Sequence, residues 1–284
     1  MTLRRYRQGA LFALLIGVSA WGLAMWRADN HVFAWDRPVS VLIAVVLDPR
    51  VDHDDDVLRG FLTRFLSKSV SHRENLAGIE FWFQREHERW TGPSPPPIAL
   101  SSRGPIAATE PPPLPPPPDA PFLERWRSTR QFLQYFETID QRENLARRGY
   151  DATIVVYFYD EADAPRYTGQ HSVASRRDRL GVVFSAVGPR HFARCAAVVA
   201  HELCHTLGAS DKYEGQRCTF PDGFADPHRE PLYPQDRAEI MGLGIPLGPG
   251  VERRVEGLDE CVVGRKTAEE VGWVAAGGGN SSGS

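Results

Sequence analysis

The sequence predicts an α/β fold of the α+β kind, a small mixed sheet packed on a helix and followed by an irregular C-terminal part. Three observations carry this. Continuous apolar runs near residues 39–47, 153–159 and 180–185 have the length and the Val/Ile content of buried strands. Segments of helical period lie between and after them. From 219 to 249 Pro and Gly recur too often for any regular element. At 284 residues with 42% hydrophobic content, the chain can bury one substantial core, and two full domains do not fit.

Taken in order, Val39–Leu47 reads as a buried strand. Val57, Phe61, Arg64, Phe65 and Ser69 suggest a helix after it, with the acidic cluster 52–56 at its N-terminal end, where the helix dipole favours negative charge. That cluster lacks the Gly and the spaced acids of a calcium loop and reads as a solvated turn. Residues 79–83, four of five apolar or aromatic, read as a second strand. The stretch 91–121 holds 13 of the chain's 23 prolines. It is expected to be extended or polyproline II, short of the N–H donors a sheet requires, and so a surface insertion into the domain. An aromatic-lined partner groove is the alternative use for it. Residues 121–148 read as a long helix, 153–159 as a third strand and 180–185 as a fourth. Thr267, Ala268, Glu269 and Glu270 form a capping-box pattern that would open a short last helix through Val271, Gly272 and Trp273. Residues 277–284 are small and polar and read as a disordered tail.

The chemistry is concentrated after the fourth strand. Phe192, Ala196, Val199 and Leu203 repeat at spacings of four, three and four, the apolar stripe of a helix. His201 and His205 project well away from that stripe, about 40° apart and about 6 Å apart along the axis. Two imidazoles so placed can bind one zinc ion, and Glu202, about 100° round the helix from His201, can reach a water in the open position. Gly208 lets the chain leave the helix, and Asp211 can return as a third ligand. By this chain's composition the full pattern arises by chance roughly once in 10,000 trials, which sets aside a coincidental histidine pair. The residues therefore point to a zinc hydrolase.

With His201-Glu202-x-x-His205-x-x-Gly208-x-x-Asp211 and a later Met241, the chain resembles the metzincin branch of the zincin metallopeptidases. Most metzincins have a third His where this chain has Asp211, and the departure looks like the snapalysin-type variant. The resemblance is specific over 190–245 and architectural elsewhere. It implies a zincin-like fold with the cleft beneath an edge strand, one zinc ion per chain, and hydrolysis of a peptide or protein substrate with Glu202 as general base. It also implies a Met-turn over 238–244 centred on Met241, where Gly242 and Gly244 would allow the reversal. Tyr213 and Tyr233 are candidates for oxyanion support, with packing as the alternative for either ring. Lys212 and Glu214 read as solvated loop charges. A membrane-tethered, inactive zinc-binding module is the rival reading. Glu202 counts against it, because a structural zinc site closes with four protein ligands and needs no base.

Arg4, Arg5 and Arg7 precede an 18-residue uncharged stretch at 9–26. It reads as a single-pass signal anchor that leaves the catalytic part outside, with Trp21 and Trp26 at the outer interface. Cleavage after Val18-Ser19-Ala20 and secretion is the alternative. The expected division is 1–28 as anchor or signal, 29–276 as the zinc peptidase-like domain interrupted at 91–121, and 277–284 as the tail. A net charge of −3 gives no electrostatic case for nucleic acid. Cys195 and Cys204, about 13 Å apart along one helix, cannot bridge each other. Cys204 reads as a packed small residue, and Cys218 and Cys261 are the candidate disulfide.

Overall fold

The computed structural model describes residues 33–275 apart from 53–54, 68–74, 114–119, 168–171 and 216. The expected anchor at 9–26 and the tail at 277–284 lie outside the described residues. Among those described, no helix is long and apolar enough to cross a membrane. The sheet and its helices all belong to one unit, Ala34–Ser284.

A five-stranded mixed sheet forms the centre. Its strands are β1 (Val39–Leu47), β2 (Ile98–Ala107), β3 (Ala152–Tyr159), β4 (Val173–Ser175) and β5 (Leu180–Ala186), in the order β2-β1-β3-β5-β4. β1 pairs in parallel with β2 and β3, β3 in parallel with β5, and only β4 runs antiparallel to its neighbour. The continuous apolar run of β1 follows from its place: every residue but Ser40 is buried, because both faces of the sheet are covered. On one face Leu42, Ala44, Val46, Val155, Tyr157 and Val182 pack with Phe136 and Ile139 of a long covering helix.

Helix α1 (Asp56–Phe65) begins where the acidic cluster predicts, its N-cap Asp55 accepting from the amides of Val57 and Leu58. Residues 79–83 are not a strand. They lie inside α2 (Leu76–Thr91), capped by Asn75, whose side chain accepts from Gly78 N. The run is amphipathic at helical period: Ile79, Trp82, Phe83 and Glu86 are buried while Phe81 is 63% exposed. Five residues are too few to tell the two periods apart, and the cap decides it.

The proline-rich stretch also departs from expectation, since β2 lies within it and joins the sheet. It does so at an edge, where one side of the strand needs no partner. Most of the prolines fall before Ile98 or after Ala107. The one inside, Pro105, sits with Gly104 in a bulge opposite Val45, between the pairs Ala44↔Arg103 and Val46↔Ile106.

Helix α3 (Phe122–Glu143) is the cover over Leu42 and Val155, and it stops short of Arg148 because Asn144 turns left-handed at φ 48°. The four-residue α4 (Ala164–Tyr167) follows β3. Near it, at the end of β1, the buried Asp48 accepts from Tyr157, Tyr167 and a bidentate Arg50. Helix α5 (Pro189–Leu207) packs on the opposite face of the sheet, where Phe192 stacks on Phe61 and meets Phe158 edge-on. Gly181 of β5 permits the close approach, since a Cβ there would lie 2.6 Å from Ile154 Cδ1 and 3.3 Å from Glu202 Cβ.

The C-terminal part is irregular from 219 to 237 and otherwise built of short pairs. These are β6 (Tyr213–Glu214) with β7 (Arg217–Cys218), β9 (Gly244–Gly248) with β10 (Val251–Arg254), and β8 (Ala238–Glu239) with β11 (Cys261–Val262). Helix α2 grips the last of these: Trp82 Nε1 donates to Cys261 O, Trp90 Nε1 to Val263 O, and the buried Glu86 accepts from Val263 N. The final helix, α6 (Arg265–Glu270), starts after Gly264. Thr267 is therefore inside it rather than its cap, and its hydroxyl donates to the buried Glu239 carboxylate instead. That longer-range bond replaces the expected capping box.

The expected Cys218–Cys261 bridge is not formed; the four cysteines are free thiols. Cys218 Sγ is held over Gly242 and Gly244 and faces Gly244 O at 3.6 Å, whereas Cys261 is buried in β11 and turns to Gly257 O at 3.7 Å. Cys204 is a buried, packed side chain.

Candidate metal centre

The second half of helix α5, Val199 to Leu207, is buried apart from half-buried His205, so His201 and Glu202 lie in the interior although they face away from the apolar stripe. Its exit is set by Gly208 at φ 117°, with Gly208 N donating to His205 O and Ala209 N to Cys204 O. This pair of bonds reverses the chain within two residues. The reversal brings Asp211 back to the histidines.

His201 Nε2 and His205 Nε2 are 3.1 Å apart, and Asp211 Oδ1 lies 3.1 Å from the second and 3.4 Å from the first. Each imidazole gives its other nitrogen to a backbone carbonyl, His201 Nδ1 to Ile240 O at 2.9 Å and His205 Nδ1 to Ala209 O at 2.8 Å. A carbonyl only accepts, so both Nδ1 atoms carry hydrogen, and it is Nε2 that each ring turns inward, a lone pair available to a metal whenever that nitrogen is unprotonated. Two such nitrogens and a carboxylate oxygen converge as three potential metal-ligand atoms. Ligands bound to a tetrahedral zinc at about 2.0–2.1 Å sit about 3.3 Å from one another, so the spacing of these three atoms fits the ion. The cluster can hold a metal.

Glu202 stands beside the trio. Its nearer oxygen is 4.0 Å from His201 Nε2, and Oε2 is buried without a hydrogen-bond partner. Burial pushes this carboxyl up, against the pull of the two imidazoles. For Asp211, partial burial works in the same direction, but hydrogen bonds to His201 and His205 outweigh it and hold the carboxyl well below its usual range. Burial works to lower His205, yet the bond to Asp211 leaves it raised.

Tyr213 is brought to the cluster, its ring half-buried and inclined 26° to that of His201 at 6.5 Å. Tyr233 packs edge-on against Phe224 instead. Met241 is fully buried in a tight turn where Gly242 N and Leu243 N both donate to Glu239 O. The positive φ of that turn falls on Leu243, at 51°, rather than on a glycine. Gly242 and Gly244 serve close packing: a Cβ on either would come within 3.0 Å of Cys218 Sγ.

Lys212 is not a solvated charge. Its ammonium is buried and donates to Glu270 Oε2 at 2.7 Å, Ser210 Oγ at 2.7 Å and Ser210 O at 3.1 Å. Glu270 also accepts from Ser210 N and Ser210 Oγ, both at 2.9 Å, so α6 pins the residues on either side of Asp211. Glu214 is exposed as expected. Lys212 and Glu239 carry no local pattern, Glu270 stands only in the expected capping box, and the partners that give the three their roles include groups 25 to 60 residues away. The one hint is that all three neighbour motif or turn residues.

No protein-family model and no curated protein matches the chain. Among solved structures, OgpA from Akkermansia muciniphila is similar at 14% identity with a TM-score of 0.31, both as the wild type and as a catalytically inactive form in complex with an O-glycopeptide (glycodrosocin) substrate. The match covers 66% of this chain and 52–53% of those chains, so this chain spans about half their length. A likeness of that size says nothing about chemistry, which rests on the cluster itself.

Proposed function

We propose that this chain is a zinc-dependent peptidase of the metzincin type, with His201, His205 and Asp211 as metal ligands and Glu202 as general base. The supporting observation is the pairing of three converging ligand atoms with a buried, unpartnered carboxylate oxygen on Glu202. A purely structural ion would be closed by a fourth protein ligand and would have no use for that oxygen. When bound, zinc would acidify a water and polarise the scissile carbonyl. Glu202 Oε2 would take the proton of the attacking water and return it to the leaving amine, and its burial raises its basicity for that task. The carbonyls of Ile240 and Ala209 hold both imidazoles in the tautomer that leaves Nε2 free. Tyr213, beside His201, would support the oxyanion. The turn at Met241 and Asp211 as third ligand support the snapalysin-type assignment within metzincins. Residues 9–26 would hold the catalytic part outside a membrane.

The test is metal content and turnover together. The purified protein should carry about one zinc per chain. Glu202→Gln should keep the metal and lose nearly all cleavage of a fluorogenic peptide library, and His205→Ala should lose the metal itself. Full activity in Glu202→Gln would rule out the base. A zinc-loaded native chain that cleaves no peptide would favour the inactive binding module.

A further inference from the structure

A second buried acid stands one layer outside the ligands. Glu239 is fully buried. Its Oε2 accepts from Met241 N at 2.6 Å, and its Oε1 accepts from Gly264 N at 3.1 Å and Thr267 Oγ1 at 2.7 Å. Its carboxylate thus ties the turn after β8 to the start of α6. The neighbourhood is built around it: a Cβ on Gly264 would lie 2.9 Å from Glu239 Cγ.

The turn that Glu239 grips makes two contacts with the metal centre, through successive carbonyls. Ile240 O accepts from His201 Nδ1 at 2.9 Å, which fixes the ring and its tautomer. Met241 O accepts from Lys212 N at 3.0 Å, which fixes the residue next to Asp211. The two ligands belong to different segments, and this dipeptide bonds one of them and the immediate neighbour of the other. An apolar side chain of similar volume would fill the space under the turn without the cost of burying a carboxylate. What it could not do is hold Met241 N and so orient the two carbonyls.

We infer that Glu239 is a positioning residue of the metal centre, holding Ile240 and Met241 so that His201 and Asp211 converge on one ion. The inference rests on the reading of His201, His205 and Asp211 as metal ligands. Groups bonded directly to a metal ligand, as Ile240 O is to His201, typically set metal affinity by a factor of about 10 to 100, and Glu239 acts through that carbonyl. Glu239→Gln keeps the shape but sets an amide donor against Met241 N or against the Gly264 and Thr267 donors. Thr267→Val leaves the Met241 bond and removes one support behind it.

Zinc affinity by chelator competition and the His201 Nδ1–H signal in 15N spectra of the metal-free protein are the two readouts. Glu239→Gln should weaken zinc about 10- to 100-fold and shift or broaden the His201 signal, while Thr267→Val should weaken zinc about threefold to fivefold. Zinc affinity within twofold of native and an unmoved His201 signal in Glu239→Gln would overturn the inference. So would a fall in metal-free stability with affinity unchanged, which marks a packing role alone. Should Glu239→Gln not fold, Thr267→Val decides, and native affinity there overturns it. A native chain that takes up no zinc defeats the metal reading as well, and is told apart by that first measurement.

Discussion

Replacing Glu270 with Ala should destabilise the protein far more than an α6 surface position suggests. The Lys212 side chain is 4% exposed and Glu270 is 20% exposed. Removing Glu270 leaves the ammonium with only Ser210 for company and takes the acceptor from Ser210 N. Breaking a buried pair from one side costs about 3–5 kcal/mol, and the partial exposure of Glu270 argues for the lower end, about 3 kcal/mol. For a domain of this size that corresponds to a fall in Tm of about 6–12 °C. Urea unfolding followed by tryptophan fluorescence, with a chelator present so that metal linkage does not enter, measures it. The added replacement Lys212→Met removes the orphaned charge and should recover part of the loss. A cost for Glu270→Ala within about 0.5 kcal/mol would show the pair behaving as a solvated surface bridge. A double variant no better than the single would refute the orphaned-ammonium account.

Other expectations come from the same geometry. Burial works to raise the Asp48 carboxyl, but Arg50, Tyr167 and Tyr157 outweigh it and hold it at about 2. A lowered acid stabilises the fold above its unfolded pKa, so about 2 kcal/mol should be present above roughly pH 4 and lost as pH falls towards 2. Unfolding midpoints across that window should flatten in Asp48→Asn, and an unchanged slope would refute the assignment. Gly208→Ala places a Cβ at φ 117° and 2.9 Å from Arg176 Cζ. It should cost about 1–3 kcal/mol and, on the proposed reading of Asp211 as a zinc ligand, weaken zinc by displacing it; native zinc affinity would refute the view that this exit positions Asp211. Gly181→Ala presses on Ile154 and Glu202 together. A loss of about 1–3 kcal/mol from overpacking is expected, read by thermal melts, and a neutral result would mean that Ile154 finds another rotamer.

The parts of the fold that were legible are those whose cause is local. β1, β3 and β5 announce themselves because strands covered on both faces must be apolar throughout. The meeting of His201, His205 and Asp211 could be read from spacing, since one helix and one glycine exit determine it. α2 was hidden in a five-residue window whose aromatic content mimics a strand, and its signal was Asn75 three residues before Gly78. β2 was hidden because proline is incompatible with a central strand and tolerated at an edge, and edge or centre is a property of the finished sheet. Lys212, Glu239 and Glu270 were illegible for a related reason. Charge looks like solvent exposure until the partner is known, and for each of the three a deciding partner arrives from another element.

The outer strand also bears on how copies of this molecule meet. A sheet rim offers unpaired amides and carbonyls to any extended chain that drifts past, and crowded copies can join through it. On the β2 side that invitation is interrupted: Pro105 has no N–H to give, the bulge opposite Val45 bends the line, and exposed Arg103 adds charge. On the far side β4 is three residues long. One proline and its bulge thereby work against neighbouring molecules reading each other's edges as a continuation of their own.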